Sequence, residues 1–234
     1  MIVRLHETTS TMKDAAALAQ QGKPHGTAVI ADIQTAGIGR QGHTWHSADL
    51  GGLYISIVLR LEIAPVLTLA LGLAVQHALN DLAQVSADLR WPNDVMLNER
   101  KLAGILVQAA EGALIAGIGL NVNQSAFPPE LGEIATSLKI ETGREYPKDA
   151  LADRIVAESL RYAALTKQEI LRRFDQNSTW SRGKAVEVDG KIRGVTAGLD
   201  DNGFLLVRTA EGIETIVAGG VRAPQTHPQG ALCE

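Results

Sequence analysis

The chain carries one cysteine, Cys233, beside a C-terminus of the kind that usually frays. That excludes a disulfide framework and leaves a poor candidate for nucleophile or metal ligand, so redox chemistry is not expected. An excess of basic residues is also missing. With 22 Lys and Arg against 26 Asp and Glu, the net charge of −4 provides no broad positive surface for sequence-independent nucleic-acid binding. Met1 is followed at once by Arg4 and Glu7, with no basic stretch and apolar core of a secretory signal. The longest apolar stretch, Ile63 to Leu79, is interrupted by Pro65, Thr68, Gln76 and His77 and is unsuited to a membrane span. A cytoplasmic protein is the resulting expectation. No Gly-Lys-Ser/Thr phosphate loop occurs, and no Ser-His-Asp or Cys-His arrangement suggests a covalent nucleophile.

What is present is enough apolar material, 45% of 234 residues, for one larger domain with an appendage. The opening residues suggest a short strand followed by a helix. Thr11 with Asp14 resembles a capping box, Met12, Ala15, Ala16 and Ala19 share one face, and Gly22 ends the helix. Gly26 to Ile33 reads as a central strand covered on both faces, and "GGLYISIVLRL" as another. Pro65 to about Ala83 is apolar nearly all round, hence a buried helix. A turn at Trp91 to Asp94, a short strand, a turn at Asn98 to Arg100, a strand from Leu102 and the strand "ALIAGIGLNVN" follow. The spacing predicts one helical stretch from Pro147 to about Asn177, facing inward through Ile155, Leu160, Leu165, Ile170 and Phe174. Beyond Trp180, short strands alternate with Asp189-Gly190, Asn202-Gly203 and Glu211-Gly212 turn pairs. The prediction is an α+β fold, a mixed central sheet with helices packed on it, over residues 1–180. A small antiparallel β-barrel follows over residues 181–234.

The stretch "QTAGIGRQGHTW" sets glycines at 37, 39 and 42 around Arg40. Backbone N–H groups at freely turning glycines can converge on an anion, and a guanidinium meets phosphate with a planar fork. On spacing alone, an anion site and a tight surface turn are equally good accounts. In "WPNDVMLNERKLAGIL", Asp94 follows a Pro-Asn turn, and Arg100-Lys101 lead into a strand where Gly104 allows close approach. Taken singly, Lys101 reads as a solvated edge charge. His43 and His46 are three apart, without a Cys or acidic companion in the loop to suggest zinc. Gly117-Ile118-Gly119 reads as a tight strand end, and the glutamates at 133 and 141 as solvated charges.

Together and in order, "STMKDA", "QTAGIGRQGHTW", "WPNDVMLNERKLAGIL" and "GIGLNVN" resemble the catalytic domain of biotin protein ligases. The Trp-Pro-Asn-Asp to Lys-Leu-Ala-Gly-Ile-Leu portion is the most specific. The tail resembles that family's SH3-like C-terminal domain, and the catalytic part the class II synthetase-like fold. The resemblance implies formation of biotinyl-5′-AMP from biotin and MgATP, then transfer of biotin to a lysine of the biotin carboxyl carrier domain of acetyl-CoA carboxylase or a related carboxylase. It implies further that Ser10, Thr11 and Gln34 line the pocket for the biotin ureido ring, and that Gly37 and Arg40 belong to the loop touching biotin and phosphate. Lys101 would stand between the biotin carboxylate and the α-phosphate, and Gly104 against the biotin tail. Trp45, Asn93, Asp94 and Asn121 would surround the adenylate, with Asp94 supporting either magnesium or Lys101. Lys101, Arg40 and Asp94 are the expected catalytic groups.

Three positions depart from the family pattern: Ile38 and His43 replace the outer arginines of Gly-Arg-Gly-Arg-x-Gly-Arg-x-Trp, and Met12 replaces an asparagine after Ser-Thr. The site is thereby less positive. A lipoate ligase or octanoyl transferase of the same fold is the alternative, although those lack the Trp-Pro-Asn-Asp element. A repressor would need a DNA-reading helix-turn-helix before the core, and the chain starts at the core's first strand, so no direct nucleic-acid role is expected. Family members are monomers or homodimers.

Overall fold

A computed structural model describes residues 1–47, 50–62, 64–110 and 112–224. Cys233, the C-terminal residues of the expected barrel domain and Ile63 of the apolar stretch lie outside the described residues. Seven strands, β1 (Ile2–Thr8), β2 (Ala28–Gln34), β3 (Gly52–Leu59), β4 (Asp88–Arg90), β5 (Asp94–Leu97), β6 (Arg100–Ala110) and β7 (Ala113–Asn121), form one sheet in the order β1-β2-β3-β7-β6-β5-β4. Only β1 and β2 run parallel; the other neighbours are antiparallel, so the sheet is mixed. The helices are α1 (Thr11–Gln20), α2 (Leu67–Ala83), α3 (Pro129–Gly132), α4 (Leu138–Thr142), α5 (Lys148–Ala163) and α6 (Lys167–Asn177). Beyond them β8 (Arg182–Val188), β9 (Ile192–Leu199), β10 (Leu205–Arg208), β11 (Ile213–Ile216) and β12 (Val221–Arg222) make an antiparallel sheet in the order β11-β10-β9-β8-β12. Among the described residues, no helix is long and apolar enough to cross a membrane.

Strand periodicity divides the main sheet into two unlike faces. Ile55, Ile57, Ala116, Ile118, Leu120, Ala103 and Ile105 point to one side, where they join α2 and α5 in the main core. Val29, Val58 and Ile115 point to the other, where α1 covers them with Met12, Ala15 and Ala19. Burial on both faces accounts for the apolar content of β3, all eight of whose residues are buried. Further along the second face, Ser56, Gly104, Gly117 and Gly119 replace the large residues. Helix α1 fills only part of the space this leaves, with Met12 over Gly117.

Three local expectations change. The predicted stretch from Pro147 to Asn177 is two helices, because Thr166 starts α6 with a full capping box: its hydroxyl accepts from Glu169 N–H, and the Glu169 carboxylate accepts from Thr166 N–H. Thr11 is not a cap. Ser10 holds the N-cap position without a side-chain hydrogen bond, Thr11 is turned inward, and Asp14 accepts from Thr8 Oγ1 at 2.6 Å. Gly117 and Gly119 lie in the middle of β7, paired with β3 and β6 on either side, and do not end a strand.

The antiparallel C-terminal sheet is seated against the main sheet by Trp91, whose Nε1–H donates to Gly203 O at 2.9 Å, and by Trp180, over which Arg90 and Lys184 stack. Thr166→Ala removes the α6 cap and is expected to lower stability by about 1 kcal/mol, readable by urea denaturation, with no change in ligand binding.

Candidate active site

The space left on the glycine-bearing face is a cavity of about 350 Å³. Thr11, Met12, Gln34, Arg40, Trp45, Ser56, Asn93, Asp94, Lys101 and the glycines 104, 117 and 119 border it. A Cβ on Gly119 would stand 2.6 Å from the Trp45 indole, one on Gly104 2.7 Å from the same ring, and one on Gly117 2.5 Å from Met12 Sδ. The floor is therefore bare backbone because Trp45 and Met12 occupy the space above it.

Lys101 reaches this face through a bulge. Asp94 pairs with Gly104 and Val95 with Ala103, but Met96 pairs with Lys101, which leaves Leu102 as an extra residue in β6. Without it Lys101 would point away from Gly104; with it the lysine chain lies over Gly104 and its Nζ sits 2.6 Å from Asp94 Oδ1 and 5.2 Å from the Trp45 ring centre. The other Asp94 oxygen takes Arg90 Nη2 at 2.7 Å. Burial alone would raise the Asp94 pKa, but Lys101 and Arg90 outweigh it and hold the carboxyl below its ordinary range.

The β5–β6 turn is braced from outside by Glu141, which accepts from Arg100 at 2.7 Å, Asn98 at 2.5 Å and Thr136 Oγ1 at 2.5 Å. Its side chain is only 8% exposed, so the solvated charge expected at this position is instead a structural anchor. Burial opposes its ionisation; the hydrogen bonds from Thr136 and Asn98, with Arg100, prevail and lower its pKa. Glu133 is exposed, as expected. The same region carries a backbone clamp, Lys101 N–H to Ile134 O at 2.8 Å and Thr136 N–H to Lys101 O at 2.9 Å.

The loop from Gln34 to Ser47 folds as a small hairpin. Ile38 bridges Thr44, Gly39 N–H donates to His43 O at 2.8 Å, and Trp45 N–H donates to Gly37 O at 3.0 Å. Gly37 lies behind the cavity wall: a Cβ there would meet Ser47 Oγ at 2.5 Å and Trp45 O at 2.7 Å. Arg40 stands in a single 3-10 turn and donates through Nη1 to Asn93 Oδ1 at 2.8 Å. One hydrogen bond thus ties the loop to the Trp-Pro-Asn-Asp turn. At the other end Gln34 Oε1 accepts from Thr11 N–H at 2.9 Å and from Thr11 Oγ1 at 3.1 Å, and Thr11 Oγ1 meets Ser56 Oγ at 2.8 Å.

Of the residues singled out by sequence, Thr11, Gln34, Arg40, Trp45, Asn93, Asp94, Lys101 and Gly104 border the one cavity. Ser10 is buried beside Thr11, and its hydroxyl has no partner among the described residues. Asn121 is buried and donates to Thr136 O at 2.9 Å, so its amide nitrogen holds the backbone that clamps Lys101. Ser56, Gly117, Gly119, Asp189 and Gly220 were not singled out as site residues, yet they border the cavity. The "GIGL" spacing carried a signal for the two glycines, since residues two apart share a strand face.

Asp94 does not suit direct magnesium ligation. Both its oxygens are held by cations, and among the described residues no three His, Cys, Asp or Glu side chains converge on a metal position. The donor set supports the other expected role, that of holding Lys101.

A cavity bordered by a hydroxyl and amide cluster, by glycine backbone and by two cations suits an organic acid awaiting activation. The comparisons agree in kind. Residues 4–125 match the biotin/lipoate A/B protein ligase family, and residues 183–221 match the biotin protein ligase C terminal domain. The chain is 36% identical over 230 residues to the bifunctional ligase/repressor BirA of Bacillus subtilis, covering 91% of this chain and 71% of that protein. It is 32% identical over 238 residues to the biotin–[acetyl-CoA-carboxylase] ligase of Mycobacterium tuberculosis, covering 92% and 86%. The Aquifex aeolicus biotin protein ligase, solved in complex with biotin and ATP, superposes with a TM-score of 0.86 at 32% identity over 95% of this chain and 99% of that one. The chain belongs to the biotin/lipoate A/B protein ligase family.

Because Lys101 and Arg90 hold the Asp94 carboxyl below the ordinary carboxylate range in the folded chain, its contribution to stability is complete above that range and is lost as the pH falls through the lower, folded value. Denaturation midpoints measured from pH 6 downward (about two units of useful range) are expected to fall less steeply below about pH 4 in Asp94→Asn than in the parent.

Proposed function

We propose that the chain is a biotin protein ligase: it forms biotinyl-5′-AMP from biotin and MgATP and transfers the biotinyl group to a lysine of a biotin carboxyl carrier domain, that of acetyl-CoA carboxylase or a related carboxylase. The observation that carries this reading is the meeting of Arg40 and Lys101, from separate elements, on one cavity with a glycine floor.

The residues present suit the two substrates. Ser10, with an uncommitted buried hydroxyl, Thr11 and Gln34 offer donors and acceptors to a ureido ring. Trp45 and Met12 pack directly on Gly104, Gly119 and Gly117, so an apolar ring and tail would lie in the cavity beside these side chains, and the buried Trp45 Nε1–H has no partner among the described residues. In the first step a biotin carboxylate oxygen attacks the α-phosphorus, a new P–O bond forms, the bond to the β-phosphate breaks and pyrophosphate leaves. Two anions approach each other, so a fixed cation between them stabilises the transition state more than the separated reactants. Lys101 provides it, held in place by Asp94. Arg40, anchored on Asn93, faces the phosphate. Magnesium would neutralise phosphate charge when bound with the nucleotide; Asp94, with both oxygens held by Lys101 and Arg90, serves in this scheme to position Lys101.

On this reading residues 1–180 carry the adenylating groups, and the C-terminal sheet from β8 to β12 adds Asp189 and Gly220 to the cavity border. The acidic balance of −4 supports a protein, and not nucleic acid, as the macromolecular partner.

Incubation with biotin, MgATP and a carrier domain is expected to add one biotin mass to the carrier, and lipoate in place of biotin to add nothing; the reverse would support the lipoate alternative. Lys101→Ala is expected to lower pyrophosphate release by at least about 10²-fold, the usual size for one aimed electrostatic group. Near-normal release would refute the role given to Lys101.

A further inference from the structure

Among the described residues bordering the cavity, the carboxylates are Asp94 and Asp189. Asp94 is fully engaged, one oxygen on Lys101 and one on Arg90. Asp189 is not. It sits at the exposed β8–β9 turn, on the cavity rim, and comes from the C-terminal sheet, whereas the two cations bordering the cavity, Arg40 and Lys101, come from the N-terminal part of the fold.

Its position is fixed from several directions. Asp189 has φ +48° and Gly190 φ +70°, two left-handed residues in the three-residue connection between Val188 and Ile192. Asp189 N–H donates to Gly220 O at 3.1 Å, and Gly220 N–H donates back to Asp189 Oδ1 at 2.7 Å. The second oxygen, Oδ2, lies over Gly219, where a Cβ would stand 2.8 Å from it. A glycine at 219 therefore keeps that oxygen uncovered. Turn chemistry alone is satisfied by Asn as well as by Asp. What the turn does not account for is a negative charge, with an oxygen left over, at the rim of a cavity that holds two cations.

The transfer step, on the ligase reading above, needs such a charge. The acceptor lysine arrives as an ammonium and must enter a site already occupied by Lys101 and Arg40. We propose that Asp189 is a positioning residue for transfer, its free carboxylate oxygen meeting the ε-ammonium of the carrier lysine at the rim. The ammonium gives its proton to water there, and the amine nitrogen attacks the acyl carbonyl carbon of biotinyl-5′-AMP. The C–N bond forms, the bond from that carbon to the phosphate oxygen breaks, AMP leaves with the electron pair, and the nitrogen sheds its surplus proton to solvent.

Asp189→Asn separates charge from structure, since Asn retains the oxygen that accepts from Gly220 N–H and tolerates positive φ. With biotin and MgATP the variant is expected to release pyrophosphate at the parental rate. Single-turnover transfer from the bound adenylate to a carrier domain should fall about three- to fivefold at low salt, the size for a partly exposed ion pair, and the deficit should shrink as ionic strength rises. Hydroxylamine, a neutral nucleophile at neutral pH, should consume the bound adenylate equally fast in both enzymes. Unchanged transfer to the carrier, or an equal loss with both nucleophiles, overturns the proposal. If the parent itself releases no pyrophosphate with biotin, the ligase reading fails first, and the two failures are thereby distinct.

Discussion

A carboxylate between two cations organises the whole site. Arg90 and Lys101 would repel one another across the edge of the sheet, and Asp94, 14% exposed, forms an ion pair with each. The cost of burying three charges is met by their mutual attraction and by close hydrogen-bond geometry, so loss of one partner leaves the others uncompensated. Lys101 can act as a fixed cation only because its position is settled before any substrate enters, which is the condition for electrostatic stabilisation of a developing charge. The bulge at Leu102, the Glu141 brace and the Asn121 contact to the Thr136 carbonyl all serve to hold that one lysine.

The second constraint is geometric. A sheet buried on both faces normally fills each face with side chains, and this one does so wherever α1, α2 and α5 cover it. At Gly104, Gly117 and Gly119 the filling stops on one face only. Removing three side chains there leaves the opposite face, with Ile105, Ala116, Ile118 and Leu120, intact in the main core. Cavity and core are thus built on the same strands, with alternation keeping them apart.

Much of this was readable from sequence because it is local. Turn pairs such as Asp189-Gly190, the glycine loop around Arg40 and the buried character of Leu67–Ala83 depend on neighbouring residues, and the structure places them as expected. The capping box at Thr166 was equally local, since Thr-x-x-Glu is its signature, but the apolar spacing ran across it and suggested a single helix. Glu141 was different. Its partners Asn98 and Arg100 are more than forty residues away, so nothing near it in the chain distinguishes a buried brace from a solvated charge. The face on which Lys101 emerges depended on one extra residue in a β-pairing register, which periodicity alone does not reveal. The resemblance to biotin protein ligases supplied the grouping of distant motifs that local reading could not.

The central claim is that Lys101 and Arg40 enclose the phosphate of an acyl adenylate. A crystal structure with a stable biotinyl-5′-AMP analogue tests this most directly. The account predicts the ureido ring against Thr11, Gln34 and Ser56, with the phosphate mimic within hydrogen-bond distance of both Lys101 Nζ and the Arg40 guanidinium. An analogue bound elsewhere, or bound here with its phosphate mimic out of reach of Lys101, would contradict it.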